Sequence, residues 1–237
     1  MTTCDTNRKT AIIAGTLLII ATFASILSNL FFLKSVNSSH YLVEISANGN
    51  QITSGALLMV IAAVTSASIA ISLYPVLKKY SEDLALGAVG FRLIEGVFYI
   101  VGILGLVLLL TLSQEFVQAG TPDASGYQIL GTLLLAGREW VGFGVAPTAF
   151  GLGSLMYYFI FYQTELIPRW LSGWGLAGAV LCIGAGVSVM SGLISPLSTI
   201  HIVLNLPIGL QEMVLAVWLI VKGFNPSAIA SLSAPEE

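Results

Sequence analysis

Charge is scarce in this sequence. Asp, Glu, Lys and Arg make up 9% of its 237 residues, where a soluble domain carries about 25%. Nine residues are Lys or Arg, with no cluster larger than Lys78-Lys79, so nothing points to a nucleic-acid partner. Cysteine is equally rare. Cys4 lies in the N-terminal tail and Cys182 in the middle of an apolar run, so neither a disulfide between them nor a metal-ligand spacing is expected. Histidine occurs twice, and His40 falls in a polar loop, which argues against the two buried imidazoles of a bis-histidine haem site. There is no Walker loop, no His-Glu-x-x-His and no well-placed Gly-x-Ser-x-Gly. The pairs Gly151/Gly153 and Gly184/Gly186 sit inside apolar runs and read as helix-packing glycines rather than a dinucleotide loop. No cofactor and no metal are expected.

What the chain has is apolar length. It is 56% hydrophobic, with a mean hydropathy of +0.92, the composition of an integral membrane protein. The fold class expected is all-α: a polytopic helical membrane protein forming a single transmembrane domain over 1–237. Its six spans are expected at about 10–33, 52–77, 84–112, 141–162, 170–194 and 199–221, each long enough for ~30 Å of hydrocarbon. The first run follows Arg8-Lys9 but is too long for a signal-peptide core and lacks a clean cleavage context, so it is read as a retained helix. The segment Tyr41–Ile45 is expected at the interface, Ser113–Gly126 as a loop containing Gly120-Thr121-Pro122-Asp123, and Phe224–Glu237 as a frayed tail. The apolar stretch 127–137 is too short to cross, against the ~20 residues required. It fits an extra interfacial or re-entrant helix, or the outer extension of the next span. Pro147 and its neighbouring glycines predict a kink or close packing in the fourth span, and Tyr157, Tyr158, Tyr162, Trp170 and Trp174 an aromatic belt.

Basic residues are distributed unevenly between the two ends of these spans. Arg8, Lys9, Lys78, Lys79, Arg169 and Lys222 fall on one side, Lys34 and Arg138 on the other. The positive-inside rule then predicts cytoplasmic N- and C-termini and a plasma-membrane location.

Against this apolar background a few polar residues stand out. Arg92 and Glu95 lie one turn apart inside the third span, about 12 and 16 Å from its inner end at ~1.5 Å per residue. Glu212, in the sixth span, lies about 15 Å from the same face. A charge at the bilayer centre costs roughly 2.5–3.5 kcal/mol on insertion scales, so Arg92 is expected to pair directly with Glu212, with Glu95 sharing the guanidinium. Positions 201, 205, 208 and 212 follow a helical repeat, which puts His201, Asn205 and Glu212 near one face. Arg138 and Glu139 enter at the same outer level as His201. The candidate polar or binding residues are therefore Arg92, Glu95, Arg138, Glu139, His201, Asn205, Gln211 and Glu212, arranged as a path from the outer surface to the central cluster. The bland alternatives are a buried ion triad that fixes packing, and interfacial anchors at Arg138, Glu139 and His201.

Three segments carry a resemblance: Ala88-Val89-Gly90-Phe91-Arg92-Leu93-Ile94-Glu95-Gly96, Leu166-Ile167-Pro168-Arg169-Trp170-Leu171-Ser172 and Leu206-Pro207-Ile208-Gly209-Leu210-Gln211-Glu212-Met213. With the ending Trp218-Leu219-Ile220-Val221-Lys222-Gly223-Phe224, they make the chain similar to a bacterial and archaeal membrane family, domain of unknown function 4386, over Arg8 to Phe224. The resemblance implies a small polytopic helical protein and supplies no activity. The residues themselves favour binding or movement of a small molecule, lipid or ion at an outward-opening polar pocket. The expected partners are membrane lipid and a small amphipathic ligand. The alternatives are a membrane-embedded enzyme on a lipid-like substrate, with Glu212 or Glu95 as base and His201 as acid, and a structural or accessory subunit. The latter would have a closed core, without a wet pocket.

Overall fold

The computed structural model describes residues 3–120 and 124–232, and these are helical with no strand among them. The helices are α1 (Thr3–Val36), α2 (Tyr41–Ala47), α3 (Gly49–Leu77), α4 (Glu82–Gln118), α5 (Ala124–Glu139), α6 (Ala146–Thr164), α7 (Arg169–Met190), α8 (Thr199–Val221) and α9 (Pro226–Ser231). Six stretches are long and apolar enough to cross a membrane: Thr6–Val36, Gly49–Leu77, Glu82–Gln118, Ser125–Thr164, Arg169–Met190 and Thr199–Val221. Large apolar side chains such as Leu57, Leu86, Val97, Leu104 and Val217 point outward. Only hydrocarbon makes such a surface favourable over the length of a helix.

Three stretches depart from the expectations, and a fourth takes one of the alternatives given for it. The loop expected from Ser113 begins later, because α4 runs on to Gln118. Ser113 turns its hydroxyl back onto the Leu109 carbonyl (2.7 Å), so a polar residue there does not break the helix. The chain turns at Gly120, where φ is +63°, a conformation glycine adopts without strain. Thr121, Pro122 and Asp123 lie outside the described residues.

The 127–137 stretch takes the last of its three alternatives. It belongs to α5, which passes without a break through a π-helical segment, Trp140–Val145, into α6. Pro147 explains the wide turn: it has no N–H to give the carbonyl of Phe143, and its ring would crowd it. The fifth span ends at Met190 rather than 194. Gly192 follows in the left-handed region at φ +71°, a common way to stop a helix.

The tail is the third departure. Instead of fraying from Phe224, residues 226–231 form α9, held by the Asn225 amide on the Leu166 carbonyl (2.9 Å) and by Asn225 as N-cap of Ser227. Phe224 and Ala228 are buried in the core. Residues 1–2 and 233–237 lie outside the described residues, as does the Cys4 side chain.

At the end of the helices that holds the N-terminus, here called the inner end, α1 and α8 are locked together. Arg8 donates from Nη2 to the Ile220 carbonyl (2.6 Å) and from Nη1 to that of Leu219 (3.2 Å), placing a cation on the negative end of α8. Arg8→Ala is expected to cost about 1 kcal/mol, read as a small drop in melting temperature in detergent, with Arg8→Lys in between. An unchanged melting temperature would mean that the cap adds no stability.

Buried apolar side chains form two separate clusters. One, around Leu73, Leu77, Tyr157, Phe161, Leu171 and Leu219, fills the inner half. The other, around Phe32, Leu42, Ile45, Ile52 and Leu109, lies outward and takes in α2, the segment expected at the interface.

Candidate functional site

Arg92 is 1% exposed and is held by four helices. Its Nη1 lies 3.0 Å from Glu95 Oε2 on the same helix and donates to Ser66 Oγ of α3 (3.1 Å). Its Nη2 lies 3.3 Å from Glu212 Oε1 of α8 and 3.4 Å from the Tyr157 hydroxyl of α6. The Phe150 ring stacks on the guanidinium, 4.3 Å from Cζ, a cation–π contact that gains strength away from water. Thus the cation expected to need partners has two carboxylates, two hydroxyls and a ring, and Nε alone lacks a hydrogen bond.

The two carboxylates are not equivalent. Ser66 Oγ lies within hydrogen-bond distance of both Glu95 oxygens (3.0 and 2.9 Å), and Arg92 adds a further bond, so Glu95 is held in place. Glu212 receives one contact, on Oε1, and its side chain is 11% exposed against 3% for Glu95. Glu212 is the carboxylate with a free edge.

That edge faces a cavity of about 280 Å³ walled by Ser66, Arg92, Glu95, Tyr99, Phe150, Cys182, Asn205 and Glu212, among others. A second cavity, about 190 Å³, lies outward of it and is lined by Asn29, Phe32, Arg138, Phe143 and His201. The two share Ser25, Tyr99 and Pro147 as walls. They adjoin along these residues as an inner lobe and an outer lobe. Gly15 lets α1 pack directly on Ala216 and Ile220 at the inner end. Further out, Thr22, Ser25 and Ile26 face Asn205, Ile208 and Gly209 across the inner lobe.

Of the eight candidates, Arg92, Glu95, Asn205 and Glu212 line the inner lobe, and Arg138 and His201 the outer. Asn205 joins the levels, its amide donating to the His201 carbonyl (2.9 Å). Glu139, half-buried, lines neither lobe. Gln211 is a packing residue: Nε2 donates to the Leu171 carbonyl (3.0 Å) and Oε1 accepts from the Tyr158 hydroxyl.

Several wall residues were not among the candidates. Thr22, Ser25 and Asn29 stand at i, i+3 and i+7 of α1, and Tyr99 at i+7 from Arg92, so helical spacing carried that signal. Ser66 and Phe150 show no such mark in the sequence. Among the described residues, no three His, Cys, Asp or Glu side chains gather as a metal set.

Six membrane-length helices around a buried ion cluster define a multi-pass helical membrane protein. The family model for domain of unknown function 4386 (DUF4386) matches residues 13–223, and the chain belongs to that family. No curated protein matched, and no solved structure did either.

Proposed function

We propose that this protein binds, or carries, a small polar or amphipathic molecule in the passage between α1, α3, α4, α6 and α8, with Glu212 and Arg92 at its inner end. The observation that carries this reading is the adjacency of the two lobes, which share Ser25, Tyr99 and Pro147 as walls between Arg138 and His201 at one end and the free edge of Glu212 at the other. A triad that served packing alone would gain from being sealed, because open space beside a buried charge forfeits contacts. Polar side chains, Thr22, Ser25, Asn29 and Asn205, line the open space instead. Ligand sites in membrane helices are built this way, with ionisable residues facing a water-filled cavity.

The enzyme alternative is weaker. His201 and Glu212 are eleven positions apart on α8, about 16 Å of helix, and line different lobes, too far to act as acid and base on one bond. We further propose that both termini face the cytoplasm of a bacterial cell and that the passage opens outward, since Arg8, Lys9, Lys78, Lys79, Arg169 and Lys222 share one end of the helices.

Gly209 supplies the test. It lines the inner lobe, and a Cβ built there meets nothing within 4 Å, so Gly209→Leu puts a side chain into the lobe from an unobstructed Cβ. Native mass spectrometry of the protein purified in mild detergent is expected to show a bound small molecule that Gly209→Leu loses. Identical spectra, with the same adduct in both, would contradict the reading. The orientation has its own check. Cysteines at Gln128 and Gly137 should both react with an impermeant reagent added outside cells, and opposite-side labelling would refute the six-span path.

A further inference from the structure

The lobes differ in charge. The inner lobe holds two carboxylates with one guanidinium, whereas no Asp or Glu lines the outer lobe, which has Arg138 and His201. Arg138 is half-buried, with its guanidinium against the Phe32 ring (Cζ 3.8 Å from the centroid) and near that of Phe143 (5.8 Å). Among the described residues it has no ion pair within 4.0 Å, although Glu139 is its neighbour in sequence. Aromatic rings satisfy the faces of a guanidinium and leave its N–H edges free. Those edges form a planar fork suited to oxyanions. His201 is 6% exposed, and its Nδ1 has no hydrogen bond, with the Phe143 backbone beside it. Its Nε2 faces the Asn205 amide (3.4 Å). Arg138, without an ion pair, and His201, with Nδ1 unbonded, thus line one 190 Å³ space.

We propose that the outer lobe is an oxyanion subsite, with Arg138 as its cation and His201 as a second donor. The ligand's anionic group, of the phosphate or carboxylate class, would rest there while its remainder extends past Tyr99 toward Glu212. This assignment rests on the passage being a binding site and adds the chemistry of its outer end. The same oxyanion chemistry has two sources, the headgroup of an outer-leaflet lipid and a free soluble anion.

Thermal unfolding of the full chain in a neutral maltoside detergent separates them. One arm adds millimolar inorganic phosphate against chloride at equal ionic strength. The other adds short-chain phosphatidic acid against the matching diacylglycerol. A saturable rise in Tm is expected in at least one arm, phosphate marking a free anion and phosphatidic acid alone a lipid headgroup. Arg138→Gln should weaken the apparent affinity about tenfold, a loss of ~1.4 kcal/mol, and Arg138→Lys by less. If Arg138→Gln does not fold, Gly142→Leu decides. That position lines the outer lobe with nothing within 4 Å of its Cβ, and the variant should abolish the shift. No shift in either arm, or a shift unchanged in Arg138→Gln or in Gly142→Leu, would overturn the assignment. A wet passage, tested separately by reactivity of a cysteine at position 25, would survive that result.

Discussion

Arg92→Gln is expected to be the most destabilising single substitution in the chain, at roughly 3–5 kcal/mol, the usual cost of breaking a buried ion pair by removing one partner. It strands two carboxylates at once, Glu95 at 3.0 Å and Glu212 at 3.3 Å. Glu212→Gln should cost less, because Arg92 keeps Glu95, Ser66 and Phe150. The double change Arg92→Gln with Glu212→Gln should recover part of the loss, and adding Glu95→Gln should recover more, since a neutral amide can still bond Ser66. Thermal unfolding in detergent measures the series. Strictly additive losses would mean that the three side chains are not coupled, against the usual 0.5–3 kcal/mol interaction energy of contacting residues.

Gly15→Leu is expected to cost about 1–3 kcal/mol or more, the range for overpacking a filled site. A Cβ at Gly15 would lie 2.7 Å from the Ala216 carbonyl oxygen and 2.8 Å from Ile220 Cγ1. Backbone cannot yield as a side chain does, so α1 and α8 would have to separate at the inner end of the passage. Gly209→Leu makes the contrast on the same helix pair. It fills the inner lobe instead of a helix contact, and removing glycine from a helix is itself favourable by about 1 kcal/mol. Its melting temperature should match or exceed that of the parent. Equal losses in the two variants would show that the space beside Gly209 is not open.

How much of this was legible in the sequence depends on what kind of signal each residue carries. Charges in an apolar run are visible at once, and depth arithmetic alone put Arg92, Glu95 and Glu212 at one level. Hydroxyls and rings carry no such mark. Ser66 and Tyr157 complete the Arg92 shell, yet serine and tyrosine are common in spans for other reasons. Thr22, Ser25 and Asn29 show a periodicity that could be read, but they gain meaning only once α8 is known to face α1. Gln211, though polar and adjacent to Glu212, points one residue's rotation away toward Tyr158 and Leu171, which sequence position alone did not separate. The tail misled for a different reason. A six-residue helix has no stability of its own, and α9 exists because Asn225 and Phe224 find partners in distant parts of the chain. Continuity between α5 and α6 stood as one of three alternatives, and the disruption at Pro147 is absorbed by the π-helical turn before it.

The most direct test of the central claim, a wet passage reaching from the outer face to the Arg92 cluster, is the reactivity of Ser25→Cys, at the wall the two lobes share. The background would carry Cys4→Ser and Cys182→Ala, with the outward-facing Val60→Cys as control. A small impermeant thiol reagent added outside intact cells is expected to label position 25 and not position 60, and Gly142→Leu should slow the labelling by closing the outer lobe. A cysteine at position 25 as inert as one at position 60 would mean a dry, sealed core and would contradict the account.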